Sequence, residues 1–459
     1  MLSIYKFLFG MAILFVPFIG SLRGVGLLGG MGTHLSFYPL FIALVIMIIN
    51  VVVTVSKITI PANRSFWCLL FFLLWMLTSS IINIPNLFSV EFKGISGINR
   101  NIAQIGTFFI YIGFSIMIFN LIKKIKYPIS FLEKYLLYSF AISGVYSLLE
   151  LFLIIDFNHA SEFLSIANIF RGDAAETLKV GRIRSVASEA SFFGMYASMI
   201  LPWLIVRWFD TDKSKIFSGS VIIYFFLLVL LSFSRAAYFS VAVELVLIFI
   251  LFHKEVRTYF KYILYSIFFI SLGMLWITSQ FEEMFSFDVV SVFTSFLDDS
   301  NENIYKLSTT TRLGSQTAAL RMFFDNPCWG VGFGAFGFYA ADYFPQDSWQ
   351  SFEIQEYGTN IANSMWPPVH GIYARLLAEL GLPGAIFWLA CLLFLLFDLY
   401  QKIKVVTDDY LKKRIKAVFV SLVGVFLCGW NIDAFAVIGI WIFIAFAWYI
   451  VQTKDNICV

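Results

Sequence analysis

The feature that most constrains this chain is the recurrence of apolar stretches about as long as a bilayer is thick. A membrane-crossing helix needs roughly 20 mostly apolar residues, because lipid offers no partner to backbone N–H and C=O groups. Twelve stretches qualify or come close, centred on residues 7–20, 37–55, 66–83, 102–122, 135–155, 191–206, 216–233, 236–252, 262–279, 382–397, 417–430 and 434–451. Composition agrees: the chain is 60% hydrophobic and 13% charged, against about a quarter charged in a soluble domain. The expected fold class is all-α, a polytopic membrane protein of about twelve transmembrane helices forming a single membrane domain over 1–459. The run 7–20 is followed by SLRG, a poor small-residue cleavage site, so it reads as a retained first helix rather than a signal peptide.

Orientation follows from the basic residues in alternate loops, since Lys and Arg near span ends resist translocation. With the N-terminus inside, 20 of the 32 basic residues are cytoplasmic. Two long loops, 156–190 and 280–368, then lie outside, the larger between spans 9 and 10. Residue type divides more sharply than total charge: 16 Lys and 4 Arg fall inside, 3 Lys and 9 Arg outside. A planar guanidinium suits bidentate binding of phosphate or carboxylate, so an anionic extracytoplasmic ligand is expected. Pairing with loop acids and lipid headgroups is the plainer use of any one of these arginines. The formal charge of +3 and the lack of a Lys/Arg run set nucleic acid aside. Five scattered cysteines suggest neither a disulfide framework nor a structural metal site.

Four strings concentrate the chemistry. In GRIRSVASEASFFG (181–194), Arg182, Arg184 and Glu189 stand just before the sixth span, with Arg184 or Arg182 the expected partner of Glu189. In SFSRAAYFS (232–240), Arg235 occupies a tight outer turn between two apolar spans, where a charge without a counterion is costly; the alternative is snorkelling to the headgroups. STTTRLGSQTAALRMFFDNP (308–327) reads as a helix capped by its Ser/Thr run, with Arg312 in its first turn and Arg321 nine residues on. In VHGIYARLLAELGLPG (369–384), His370 opens a short helix that closes at Gly381, and Arg375 and Glu379 are spaced to pair. A histidine at the outer rim can exchange a proton; capping is its ordinary alternative. WGVGFGAFG (329–337) contains a formal GxGxxG, but no βαβ unit surrounds it. Its glycines are expected instead to pack an aromatic-lined turn against the bundle.

These elements, in this order, resemble the O-antigen polymerase and ligase superfamily, the Wzy and WaaL types of bacterial surface-polysaccharide enzymes, over roughly 181–397. The resemblance implies a GT-C-like fold in the bacterial inner membrane with its active site facing the periplasm. It implies glycosyl transfer from an undecaprenyl pyrophosphate-linked oligosaccharide, with no cofactor or metal required, in contact with membrane lipid and with a chain-length regulator as a further partner. Arg235 and Arg312 match the arginines that hold the pyrophosphate, Arg184 and Arg321 are added candidates, and His370 matches the base, with Glu189 as a second candidate. The family usually carries Asn or Ser after that histidine, where this chain has Gly371. The string SEASFFG (188–194) looks like that of many polymerases, which favours polymerase over ligase. A transporter of a lipid-linked sugar or organic anion is the rival from another class, although it would be expected to show repeat symmetry and charges at midplane.

Overall fold

The computed structural model describes residues 2–22, 26–54, 57–154, 182–210, 214–255, 304–362, 364–433 and 435–453. The ninth expected span, and most of the loop expected at 156–190, lie outside the described residues, as does the first part of the loop expected at 280–368. The described chain is mostly helical, with one two-stranded hairpin. In order, the elements are α1 (Leu2–Leu14), a 3-10 segment (Gly26–Thr33), α2 (Phe37–Thr54), α3 (Arg64–Ile82), α4 (Ile84–Ser89), β1 (Glu91–Phe92), β2 (Ile95–Ser96), α5 (Gly97–Ile122) and α6 (Pro128–Ile154). There follow α7 (Ala190–Asp210), α8 (Lys215–Leu231), α9 (Arg235–Leu251), α10 (Ile304–Asp325), α11 (Phe336–Tyr343), a second 3-10 segment (Gln346–Gln350), α12 (Phe352–Gly358), α13 (Ile372–Val405), α14 (Asp409–Cys428) and α15 (Ile438–Gln452).

Among the described residues, six helices are long and apolar enough to cross a membrane: α2, α3, α5, α6, α7 and α13. Shorter apolar helices, α1, α8 and α15, join them. This makes a multi-pass membrane protein. α15 explains how a short helix can sit in such a bundle. Every residue from Ile438 to Ile450 is buried, so the helix is apolar all round because protein surrounds it, with α5, α13 and α14 as neighbours. Other helices show the opposite pattern: Val52 and Val53 of α2 are 72% and 74% exposed, as a lipid-facing surface requires.

Local sequence sets the helix ends. Asn63 caps α3 by accepting from the Phe66 N–H at 2.8 Å, and Asp408 caps α14 through the Leu411 N–H at 2.6 Å. α13 is broken at Gly381, whose φ of 68° no ordinary side chain adopts cheaply. A Cβ there would also lie 2.4 Å from the Cys328 carbonyl oxygen. A second apolar core, built on Leu87, Met322, Phe336, Ile354, Tyr357 and Val369, forms a cap at one end of the bundle. The hairpin is tied to this cap by the buried Lys93, whose ammonium donates to the Glu356 carbonyl at 2.8 Å. The glycines of 329–337 do pack their turn closely. Gly330, at φ 64°, leaves no room for a Cβ beside the backbone of Glu379.

Candidate functional site

The site is assembled where the cap meets the bundle. α10 begins at Ile304, not at the Ser/Thr run, so Arg312 lies in its third turn rather than its first. The run is helical because Ile304–Leu307 already starts the helix, and the hydroxyl of Thr311 is engaged with that of Ser351 at 2.6 Å instead of capping. The helix-dipole argument therefore passes to Arg235, the first residue of α9. A cation at that position is disfavoured unless an anion accompanies it. The Arg235 guanidinium donates to Thr309 Oγ1 at 2.6 Å. Thr309 precedes Arg312 by three residues on α10, so the two share one helix face and Arg235 is brought to the side that carries Arg312.

His370 is fixed from three directions. Its neighbour Val369 donates its N–H to Asp433 Oδ2 at 2.8 Å, and the Ile372 N–H donates to the Gly429 carbonyl at 2.8 Å. The Gln316 amide of α10 donates to the His370 carbonyl at 2.8 Å and to that of Trp430 at 3.0 Å. This grip holds His370 at φ 58°, a left-handed conformation costing roughly 1–2 kcal/mol for a residue with a Cβ. Ser185 and Phe233, at φ 55° and 46°, are likewise left-handed beside Arg184 and Arg235. Strained backbone of this kind gathers at sites where a side chain must be held.

Burial lowers the His370 pKa below its ordinary value; Asp433 raises it, Arg312 lowers it, and Glu189 and Glu353 raise it. Its Nε2 is buried and has no hydrogen-bond partner, an exception that calls for a ligand or a chemical role. The Tyr357 ring lies 6.3 Å away, centroid to centroid. Its phenol is raised by burial, with Glu353, Glu189 and Asp433 adding to the rise and Arg312 opposing it. The charges of Asp433, Arg312, Glu189 and Glu353 thus all act on one imidazole. Among the described residues Arg312 forms no side-chain hydrogen bond or ion pair, so its charge remains available to a ligand.

Two further sequence expectations are corrected. Glu189 is exposed and accepts from the Ser191 hydroxyl at 2.9 Å; neither Arg184 nor Arg182 forms an ion pair with it. Ser191, in the first turn of α7, is simply the nearer donor, and Arg184 turns instead to the Ser188 carbonyl at 3.1 Å. Arg321 stands apart: nine residues along α10 from Arg312, about 13.5 Å of helix rise, it is exposed and donates to the Tyr343 carbonyl at 3.3 Å. The expected Arg375–Glu379 pair forms, at 3.0 Å.

Asp433 escaped sequence reasoning. Its signal was a carboxylate interrupting two apolar runs, at 417–430 and 434–451. Gly371 also acquires a reason: a Cβ there would lie 2.8 Å from the Trp430 carbonyl oxygen and 3.0 Å from Gln316 Nε2, so the Gln316 clasp leaves no space for the polar side chain usual in that place.

Residues 220–389 match the family model described as O-antigen ligase. That segment contains Arg235, Arg312, Arg321 and His370, while Arg184, Glu189 and Asp433 lie outside it. No curated protein matches the chain.

Proposed function

We propose that this chain, whose residues 220–389 match the family model described as O-antigen ligase, polymerises lipid-linked O-antigen or capsule repeat units. The donor is an undecaprenyl pyrophosphate-linked glycan and the acceptor another lipid-linked repeat unit. The observation that carries this reading is the convergence of Arg235 and Arg312 on the side of a histidine whose buried Nε2 has no partner.

In the reaction, an acceptor hydroxyl oxygen attacks the anomeric carbon from the face opposite the pyrophosphate. The new glycosidic C–O bond forms as the bond to the pyrophosphate oxygen breaks, inverting the anomeric centre. The hydroxyl proton passes to His370 Nε2, which burial keeps neutral and able to accept it. The developing charge on the leaving diphosphate is neutralised by Arg235 and Arg312, prepositioned cations of the kind that stabilise a transition state without reorganising. Glu189, exposed and hydrogen-bonded to Ser191, is the second candidate base and acts electrostatically on the imidazole. Arg184, five residues before Glu189 in the chain, is an added candidate cation.

The charged end of α14, with Lys413 and Arg414, is separated from this site by a helix of 20 residues, about 30 Å at 1.5 Å per residue. Under the positive-inside rule the lysine-rich end faces the cytoplasm and the site the periplasm of the bacterial inner membrane. A chain-length regulator would act from the periplasmic side.

The matched family is described as O-antigen ligase, which favours transfer to lipid A core as the second reading. One reconstitution separates the two. Purified protein in liposomes with lipid-pyrophosphate oligosaccharide should yield a ladder spaced by one repeat unit. If glycan moves only once lipid A core is added, the protein is the ligase; if it crosses the bilayer unextended, glycosyl transfer itself is refuted.

A further inference from the structure

Beside the imidazole, on the Asp433 side, lies a cavity of about 220 Å³ bounded by α5, the glycine-rich turn and the 366–369 segment. Val369 and Asp433 are shared with the wall of the His370 site, while none of Arg235, Arg312 or Glu189 lines the cavity. Its size falls below the roughly 300–1,000 Å³ of pockets that enclose drug-sized ligands, which suits a single ring rather than a whole oligosaccharide.

The chemistry of the lining is distinctive. Arg375 is committed on every side, donating to Glu379 at 3.0 Å, to the Asp433 carbonyl at 2.8 Å and to Gln104 Oε1 at 2.9 Å. Arg100 is different. Its guanidinium lies 4.2 Å over the Trp366 ring, and its buried Nε has no hydrogen-bond partner. Two arginines face two carboxylates, Glu379 and Asp433, so the walls carry no surplus of positive charge with which to hold a phosphate. Fixed donors and acceptors set beside the aromatic side chains of Phe336, Trp366 and Phe435 instead match a ring that presents both hydroxyls and C–H groups.

We propose that this cavity seats a sugar ring of the acceptor glycan, with Arg100 as its free donor, so that the attacking hydroxyl is delivered to His370. The inference rests on the glycosyl-transfer reading and adds to it the place where the acceptor is recognised. Because Val369 is anchored by Asp433 and adjoins His370, a ring held against Asp433 is one residue from the base.

The test uses full-length protein in nanodiscs without donor lipid, probed with the repeat-unit oligosaccharide freed from its lipid by mild acid, with binding read by saturation-transfer NMR. Arg100→Gln should weaken binding by about tenfold or more, the loss expected for a buried charged hydrogen bond. Thr107→Phe fills the same cavity without disturbing Arg375 or Asp433, and should do the same even if Arg100→Gln fails to fold. Absence of binding by the unmodified protein, or undiminished binding by the folded variants, overturns the subsite. The two readings fail separately. Binding that depends on Arg100 in a protein that never extends glycan would sink the polymerase and leave the subsite, whereas an Arg100→Gln protein that binds and extends normally would sink the subsite and leave the polymerase.

Discussion

The two ends of the helical bundle treat charge in opposite ways. At the far end of α14, Arg414 is 1% exposed and fully engaged: it bonds Glu133 at 2.8 Å and Asp210 at 2.6 Å, with Tyr410 beneath its guanidinium. Lys413 completes that network through Asp210 and Asp409. At the capped end, Arg312 forms no ion pair among the described residues, and His370 Nε2 is buried with no partner. A closed network fastens α6, α7 and α14 together; an open one is left for a ligand to complete. The two ends thus put charge to different use, and the distinction lies in whether the polar atoms are satisfied.

The comparison can be broken most directly at the open end. His370→Ala should lower glycan extension by about 10²–10⁴, and Arg312→Ala by about 10²–10³, with the proteins still inserted and their unfolding midpoints unchanged. A near-normal rate for Arg312→Ala, measured by repeat-unit ladder, would erase the contrast. Arg312→Lys should recover only part of the rate, since an ammonium keeps the charge but not the bidentate fork.

The closed end should respond in stability instead. Arg414→Ala strands the buried Glu133 carboxylate and should cost roughly 3–5 kcal/mol, seen as a lower unfolding midpoint in detergent, while the folded fraction keeps its specific rate. A rate loss without destabilisation would show that this network also serves catalysis.

A smaller effect concerns pH. Burial lowers the His370 pKa, Asp433, Glu189 and Glu353 push it up, and Arg312 pushes it down. The imidazole is then neutral at pH 7, and the rate should fall only as pH drops below the ordinary histidine value of about 6.5. Asp433→Asn removes an upward push, so its acid limb should shift to still lower pH; a shift upward would contradict the assignment of His370 as base. Smallest of all, Arg321→Ala should leave extension unchanged and cost no more than about 1 kcal/mol, as for other exposed polar contacts.

Much of the bundle was legible in the sequence because lipid imposes so strict a rule on backbone and composition. The break at Gly381 was equally readable, as glycine and proline mark helix ends with their own geometry. Side-chain pairing was not. The proximity of Arg184 to Glu189 in the chain suggested an ion pair, yet the Ser191 hydroxyl is the donor that reaches the carboxylate. The start of α10 was misplaced because Ser and Thr favour caps only on average, and here Thr311 bonds across to Ser351 in the cap. Asp433 escaped notice, and Arg100 was legible only as one of nine outer arginines, for a shared reason. Each is an isolated charge at the end of an apolar run, and only tertiary packing brings them, from opposite parts of the chain, to one cavity.

The double clasp of Gln316, one amide holding the carbonyls of His370 and Trp430, has a consequence for how such a protein can diversify. The distance from the cationic helix to the imidazole is set by a cross-link that skips 54 positions of chain, not by the surface segment in between. Exposed positions such as Thr359, Ile361 and Ala362 can therefore be rewritten while the reacting groups keep their spacing. On the proposed glycosyl-transfer reading, glycan preference is then free to drift over an unaltered chemical centre.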